Sequence, residues 1–134
     1  MKKIYLDTNF PILPFTMKVD IFSEIARIMH EPYELILLEE VEDELNKIIK
    51  EQKGKHRDNA KAALRLLEAK SIKKEKGLNT QYNSKAFVDD IIFNLADKST
   101  IVATQDKDLK ARLKIKGIKV IYLRKKKLEM EDVL

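Results

Sequence analysis

The stretch TIVATQDKDLKARLKIKGIKVIYL, residues 100–123, decides the fold class. Residues 100–104 are mostly β-branched and apolar, the composition of a short buried strand. Residues 107–115 read as a helix, Gly117 ends it, and the apolar run at 118–123 predicts a second strand. Strand, helix and strand in this order form one βαβ unit, so the two strands run parallel. Moving outward, the same alternation covers the chain. KIYL at 3–6 predicts a strand, and a loop with Pro11 and Pro14 follows it. Residues 18–29 predict a helix, with Val19, Phe22, Ala26 and Met29 on one row and Ile21, Ile25 and Ile28 on another. ELILL at 34–38 predicts a strand, and residues 39–50 a helix. Gly54 marks a turn, residues 57–69 another helix, and 71–73 a weak strand. Residues 75–84 carry loop residues, and 86–97 an amphipathic helix. No repeat, linker or domain boundary interrupts the pattern, so residues 1–134 are expected to form one α/β domain. Right-handed crossovers would place helices on both faces of a mostly parallel sheet.

Composition narrows the chemistry. With 44% hydrophobic and 37% charged residues, the chain is neither disordered nor membrane-embedded. No apolar run approaches the ~20 residues of a membrane span, and the N-terminus lacks a signal-peptide core. A cytoplasmic location is expected. The absence of cysteine removes disulfides, thiolate nucleophiles and cysteine-ligated metals, and two histidines make a histidine metal site improbable. The net charge of +5 is segregated. Residues 1–46 carry a net −6, residues 47–76 a net +7, and residues 107–127 a net +9. Basic blocks of this strength fit a polyanionic partner such as nucleic acid.

In a parallel α/β sheet, chemistry sits beyond the carboxyl ends of the strands, where strand order reverses. Asp7 directly follows the first strand, and Asp106 follows the strand at 100–104 by two residues. Taken singly, Asp7 could close an Asx-turn and Asp106 could cap a helix; two strand-end aspartates together favour a site. Helical facing adds two acids. At ~100° per residue, Glu44 lies about 70° from the apolar stripe of Val41, Leu45 and Ile48, Glu42 about 90° and Glu40 about 110°, while Asp43 points away. Asp89 lies about 110° and Asp90 about 150° from the stripe of Val88, Ile91, Ile92 and Leu95. Including Phe87 in that stripe makes the two nearly equal, so Asp89 is preferred only narrowly. Asp7, Glu44, Asp89 and Asp106 gathered together would repel one another unless a hard divalent cation compensated them. Mg2+ or Mn2+, which prefer carboxylate and water oxygens, would do so and would place a hydrolytic water near a phosphate. An acidic centre with basic flanks predicts a metal-dependent nuclease.

Four segments, LDTNF, VEDEL, VDDIIFNLA and IVATQDKDL, occur in the order and spacing of the PIN-domain nucleases. The chain resembles that family over nearly its full length. It is most similar to archaeal single-domain PIN proteins, themselves similar to the PIN nucleases of small-subunit ribosomal RNA processing and to VapC-type toxins. The resemblance implies a three-layer α/β/α fold with a five-stranded parallel sheet in the order 3-2-1-4-5. It places the metal-binding, catalytic acids at Asp7, Glu44, Asp89 and Asp106. It gives Asn9, Thr104, Asp108 and Asp90 supporting positions around them. It also implies an RNA substrate, an antitoxin or ribosome-assembly partner, and a homodimer.

RNA is expected to lie against Lys107, Lys110 and Arg112 on the helix after Asp106. A second anchor is expected at Arg124, Lys125, Lys126 and Lys127, read as a basic tail after the last strand. Phe10, Phe15, Phe22 and Phe93 read as core or interface residues, and Tyr82 as the better base-stacking candidate. The competing class is a non-catalytic RNA-binding or scaffold module. A phosphatase of the haloacid-dehalogenase type would need a second aspartate at position 9, which is Asn9.

Overall fold

The computed structural model describes residues 1–77 and 87–131. Tyr82, position 86 and most of the expected 75–84 loop lie outside the described residues. Six strands form one sheet in the order β3-β2-β1-β4-β5-β6. The strands are β1 (Lys2–Leu6), β2 (Tyr33–Leu38), β3 (Lys73–Glu75), β4 (Thr100–Ala103), β5 (Lys119–Arg124) and β6 (Lys127–Glu131). The helices are α1 (Leu13–Thr16), α2 (Ile21–Ile28), α3 (Glu39–Glu51), α4 (Lys55–Ala69), α5 (Val88–Leu95) and α6 (Lys107–Lys116). The first five strands are parallel and follow the expected 3-2-1-4-5 order. Successive residues of a strand face opposite sides of a sheet, yet Ile36, Leu37 and Leu38 are all buried, as is every residue of β4. Both faces are therefore covered, as parallel sheets require.

The sequence reading needs four corrections. The loop after β1 contains the short α1, whose Pro14 sits in its first turn, where the missing N–H costs no bond. Helix α2 starts at Ile21 rather than at residue 18. Lys18 takes a positive φ, and the Asp20 carboxylate caps the helix by accepting from the Phe22 and Ser23 N–H groups. Its buried row is Ile21 and Ile25, while Ala26 is exposed. The weak third strand lies at Lys73–Glu75, beyond a left-handed Ser71.

The fourth correction concerns the C-terminal end. The basic residues expected to form a tail are the tip of a hairpin, and the chain returns antiparallel as β6. Arg124 pairs with Lys127, leaving Lys125 and Lys126 as a two-residue loop with φ of 51° and 66°. Positive φ at both central residues is the signature of a type I′ turn, whose twist matches the strands.

Side chains hold this hairpin on both edges. Leu123 and Leu128 stand opposite each other. The Leu123 N–H donates to Gln105 Oε1 at 2.6 Å, and its carbonyl accepts from Gln105 Nε2 at 3.4 Å. The Leu128 N–H donates to Glu24 Oε1 at 3.0 Å, and its carbonyl accepts from Arg27 at 2.8 Å. The Gln105 amide thus extends the sheet beyond the end of β4. Glu24 and Arg27 of α2 cover backbone groups on the outer edge of β6, a protected edge strand.

Candidate active site

Strand order reverses between β1 and β4, the switch point where α/β sheets open a crevice. The register pairs Leu6 with Ala103, and the Asp7 N–H donates to the Ala103 carbonyl at 2.9 Å. Asp7 is thereby pinned at the crevice floor, and only 6% of it is exposed. Its carboxylate accepts from the Thr8 N–H at 2.8 Å, the Thr104 hydroxyl at 2.6 Å and the Asn9 amide at 3.3 Å.

Thr104 links the two strand-end acids. Its buried hydroxyl donates to Asp7 and accepts from the Asp106 N–H at 3.0 Å. Asp106 also caps α6, its carboxylate accepting from the Leu109 N–H at 2.9 Å. The cap and the rim position therefore coexist, because a cap uses one carboxylate oxygen and leaves the other. Asn9 completes the floor by accepting from the Gln105 N–H at 3.1 Å while donating to Asp7.

Asp7, Glu44, Asp89, Asp106 and Asn9 line one cleft of about 310 Å³. Four elements deliver the acids: the end of β1, α3, α5 and the start of α6. Glu44 is half-buried on α3 beside the core residues Val41 and Leu45, and Asp43 is exposed. Asp89 lines the cleft with its carboxylate 4.0 Å from the Arg112 guanidinium, whereas Asp90 lies outside the lining and holds that guanidinium at 2.8 Å. Asp108 is exposed in the first turn of α6, outside the cleft lining.

The electrostatics follow from this crowding. Burial pushes the Asp7 carboxyl above its ordinary range. The Thr104 and Thr8 hydrogen bonds oppose the shift, and the negative charges of Asp106 and Asp89 add to it. Burial likewise raises Glu44, opposed by Thr8 and Lys47 and reinforced by Asp7 and Asp89. The buried Thr8 hydroxyl lies beside the Glu44 carboxylate and offsets part of its rise. Carboxylates gathered in one cleft, with Asp7 and Glu44 both pushed up by burial and by neighbouring acids, form an all-oxygen donor set short of a positive charge, which suits a hard cation. Among the described residues no three acids converge closely enough to ligate one ion together. Magnesium tolerates this, since it keeps several waters and takes one or two carboxylates directly.

The basic residues separate into two groups. Lys110 lies 3.1 Å from Glu131 and stacks 3.6 Å over the Tyr122 ring. Arg112 is shared among Asp90 at 2.8 Å, Asp89 at 4.0 Å and the Phe93 ring, 4.4 Å away. Both spend their charge inside the protein. Lys107, Arg124, Lys125, Lys126 and Lys127 are exposed. Phe10 is fully buried, Phe22 and Phe93 are partly buried, and Phe15 is exposed.

Sequence reasoning missed Phe87. It lines the mouth of the acid cleft with 73% of its surface exposed. Its place in the apolar stripe of the α5 segment disguised it as a core residue. It in fact precedes α5 with extended backbone at the helix N-cap.

The PIN like domain family matches residues 4–126. Ribonuclease VapC4 of Methanocaldococcus jannaschii is 33% identical over 129 residues, spanning 95% of this chain and 94% of that protein. The PIN domain endonuclease Utp24 superposes with a TM-score of 0.78 at 23% identity, covering 98% of this chain and 92% of that one. A domain of a functionally unknown protein from Methanocaldococcus jannaschii superposes at 0.66 with 24% identity, covering 100% and 99%. These two likenesses concern the fold. The family match across most of the chain, together with the VapC4 likeness along nearly its whole length, shows that the chain belongs to the PIN-like domain family.

Proposed function

We propose that the protein is a divalent-metal-dependent endoribonuclease that hydrolyses RNA phosphodiester bonds. The observation that carries this reading is the cleft at the switch point, which acids from four separate elements line together. The name of the VapC4 relative, a ribonuclease, supports RNA as the substrate. Asp7 and Asp106 would hold Mg2+ or Mn2+, with Asp89 and Glu44 completing the site directly or through waters. The ion, when bound, supplies Lewis acidity toward the phosphate and a nucleophilic water.

The chain's own residues fix the geometry. Thr104 and the Thr8 N–H orient the Asp7 carboxylate, and Asn9 ties it to the β4–α6 turn. Thr104 also fixes the backbone of Asp106. These bonds keep two mutually repelling carboxylates in place before substrate arrives.

The test is cleavage of RNA by the purified protein with EDTA, Mg2+ and Mn2+. A chain that binds RNA but cleaves none under any condition would instead be a non-catalytic RNA-binding or scaffold module. Toxin and ribosomal RNA maturation roles differ in substrate, and a small antitoxin gene immediately upstream would favour the toxin. A homodimer belongs to the same proposal, as does a cytoplasmic location. Among the described residues no helix is long and apolar enough to cross a membrane.

Acids that are neighbours in sequence should behave differently. Asp89→Asn should lower kcat/KM by at least about tenfold, the scale of losing a metal-site group. Asp90→Asn should cost less, because Asp90 already neutralises Arg112 away from the cleft lining. Glu44→Gln should likewise cost far more than Asp43→Asn. Equal losses at Asp89 and Asp90 would show that the Arg112 pair opens in the working enzyme.

A further inference from the structure

A second cleft adjoins the acid cleft and shares Asn9 with it. Its volume is about 550 Å³, within the size range of small-molecule pockets, roughly 300–1,000 Å³. Leu13, Met17 and Leu123 give it an apolar floor, and Lys125 and Lys126 stand at its rim. We propose that this cleft is a nucleotide subsite: it takes one unstacked base of the RNA strand whose neighbouring phosphate lies in the acid cleft. The proposal rests on the nuclease reading and names where the substrate strand continues.

Three observations commit the cleft to this occupant. First, the two clefts share Asn9 as a lining residue, so they are adjacent and a nucleotide next to the acids is within reach of the apolar floor. Second, the charge is complementary. The Lys-Lys turn carries two cations at the rim, with Arg124 and Lys127 flanking them, opposite a backbone that bears one negative charge per nucleotide. Third, the wall is rigid. The Gln105 amide is bonded to both backbone groups of Leu123, which fixes the hairpin against the acid rim.

The same bonds define specificity. The Gln105 side chain is engaged with Leu123, and Asn9 is engaged with Asp7 and the Gln105 N–H. Both amides of the inner wall are thus already held by protein partners, so the cleft offers a base chiefly apolar contact rather than edge readout. Every base has an apolar face, and contact of this kind tolerates any sequence.

The experiment measures binding of short single-stranded RNAs in EDTA, by fluorescence anisotropy, with an abasic ribose placed at each position in turn. One position should lose about tenfold in affinity when abasic, the scale expected when roughly 50 Å² of apolar base surface is buried against Leu13, Met17 and Leu123. At that position all four bases should bind within about threefold of one another, as expected for contact without edge hydrogen bonds. Two variants tie the effect to the cleft: Met17→Ser removes apolar floor, and Thr16→Trp fills the space. Both positions are exposed, so melting temperatures should be unchanged, while the penalty for the abasic site shrinks towards onefold. An abasic penalty that stays at its wild-type size in both variants overturns the subsite, as does strong preference for one base.

Cleavage is read separately with Mg2+ and Mn2+. If the wild type cleaves nothing while the variants still lose base dependence, the nuclease reading falls and the subsite stands. If the wild type cleaves and the variants keep full base dependence, the subsite falls alone.

Discussion

Asp7→Asn is expected to lower RNA cleavage at fixed Mg2+ by more than about a hundredfold while leaving the fold intact. Loss of groups that only orient a metal ligand typically costs roughly 10–100-fold, so loss of a charged ligand at the crevice floor should exceed that range. Asp7 differs from the other three acids in how it is held. It is the most buried of the four acids and the one held by the Thr8, Asn9 and Thr104 bonds together. Unimpaired cleavage by the purified variant would remove Asp7 from the mechanism.

The same substitution should not weaken the metal-free fold at neutral pH. Burial and the neighbouring acids raise the folded-state pKa of Asp7 above its ordinary 3.8. The folded state therefore binds the proton more tightly than the unfolded chain. Stability then falls as pH rises from the unfolded value through the folded one, and stays lower above it. At neutral pH the ionised Asp7 carboxylate costs the fold free energy that a neutral amide in its place would not. The gain is offset in part, because one end of an Asn amide must face a donor, either the Thr8 N–H or the Asn9 amide, at a cost of about 1 kcal/mol. The melting temperature of Asp7→Asn without metal should match or exceed that of the wild type. Its advantage should shrink as the pH is lowered toward 4. A variant markedly less stable at pH 7 would show that the Asp7 hydrogen bonds outweigh its burial as a charge.

How much of this was legible in the sequence depends on how local the cause is. The βαβ alternation and the strand-end positions of Asp7 and Asp106 are local, and the structure places them as read. Glu44 could be found because its helix has a clear apolar stripe. The choice between Asp89 and Asp90 was nearly a tie. What separates them is the cleft lining, which includes Asp89 alone, and Arg112, which hydrogen-bonds Asp90 at 2.8 Å but stays 4.0 Å from Asp89; Arg112 is 22 residues from Asp90 in the chain and adjacent only after folding. The sixth strand left a faint signal, since LEM in KLEME alternates apolar and charged residues. Its turn carries no Gly, Asn or Asp, so the usual hairpin cue was missing. The basic block could not be apportioned either. Glu131, on the missed strand, engages Lys110 and Lys114, and sequence alone counted both as available charge.

The hairpin tip gives the second large expected effect. Lys-Lys is an unfavourable choice for a turn that needs two left-handed residues, each costing of the order of 1 kcal/mol outside glycine. Four adjacent cations add repulsion. Local stability therefore does not account for Arg124, Lys125, Lys126 and Lys127, whereas the proposed phosphate binding would. The decisive variant is Arg124→Gln, Lys125→Asn, Lys126→Gly and Lys127→Gln together. It removes four charges and installs the Asn-Gly pair that type I′ turns favour, so the hairpin should hold or gain stability. RNA binding should move the other way. If each of the four cations neutralises one phosphate, at ~0.7 per phosphate, the slope of log K against log salt should flatten by about 3 units on single strands. Between 50 and 200 mM salt the wild type should then lose roughly 50-fold more affinity than the variant. The charges on α6 serve as the internal control: neutralising Lys110 and Arg112, which are paired with Glu131 and Asp90, should change the slope far less. An unchanged slope in the fourfold variant, with its melting temperature maintained, would show that the tip is solvated and that RNA is held elsewhere.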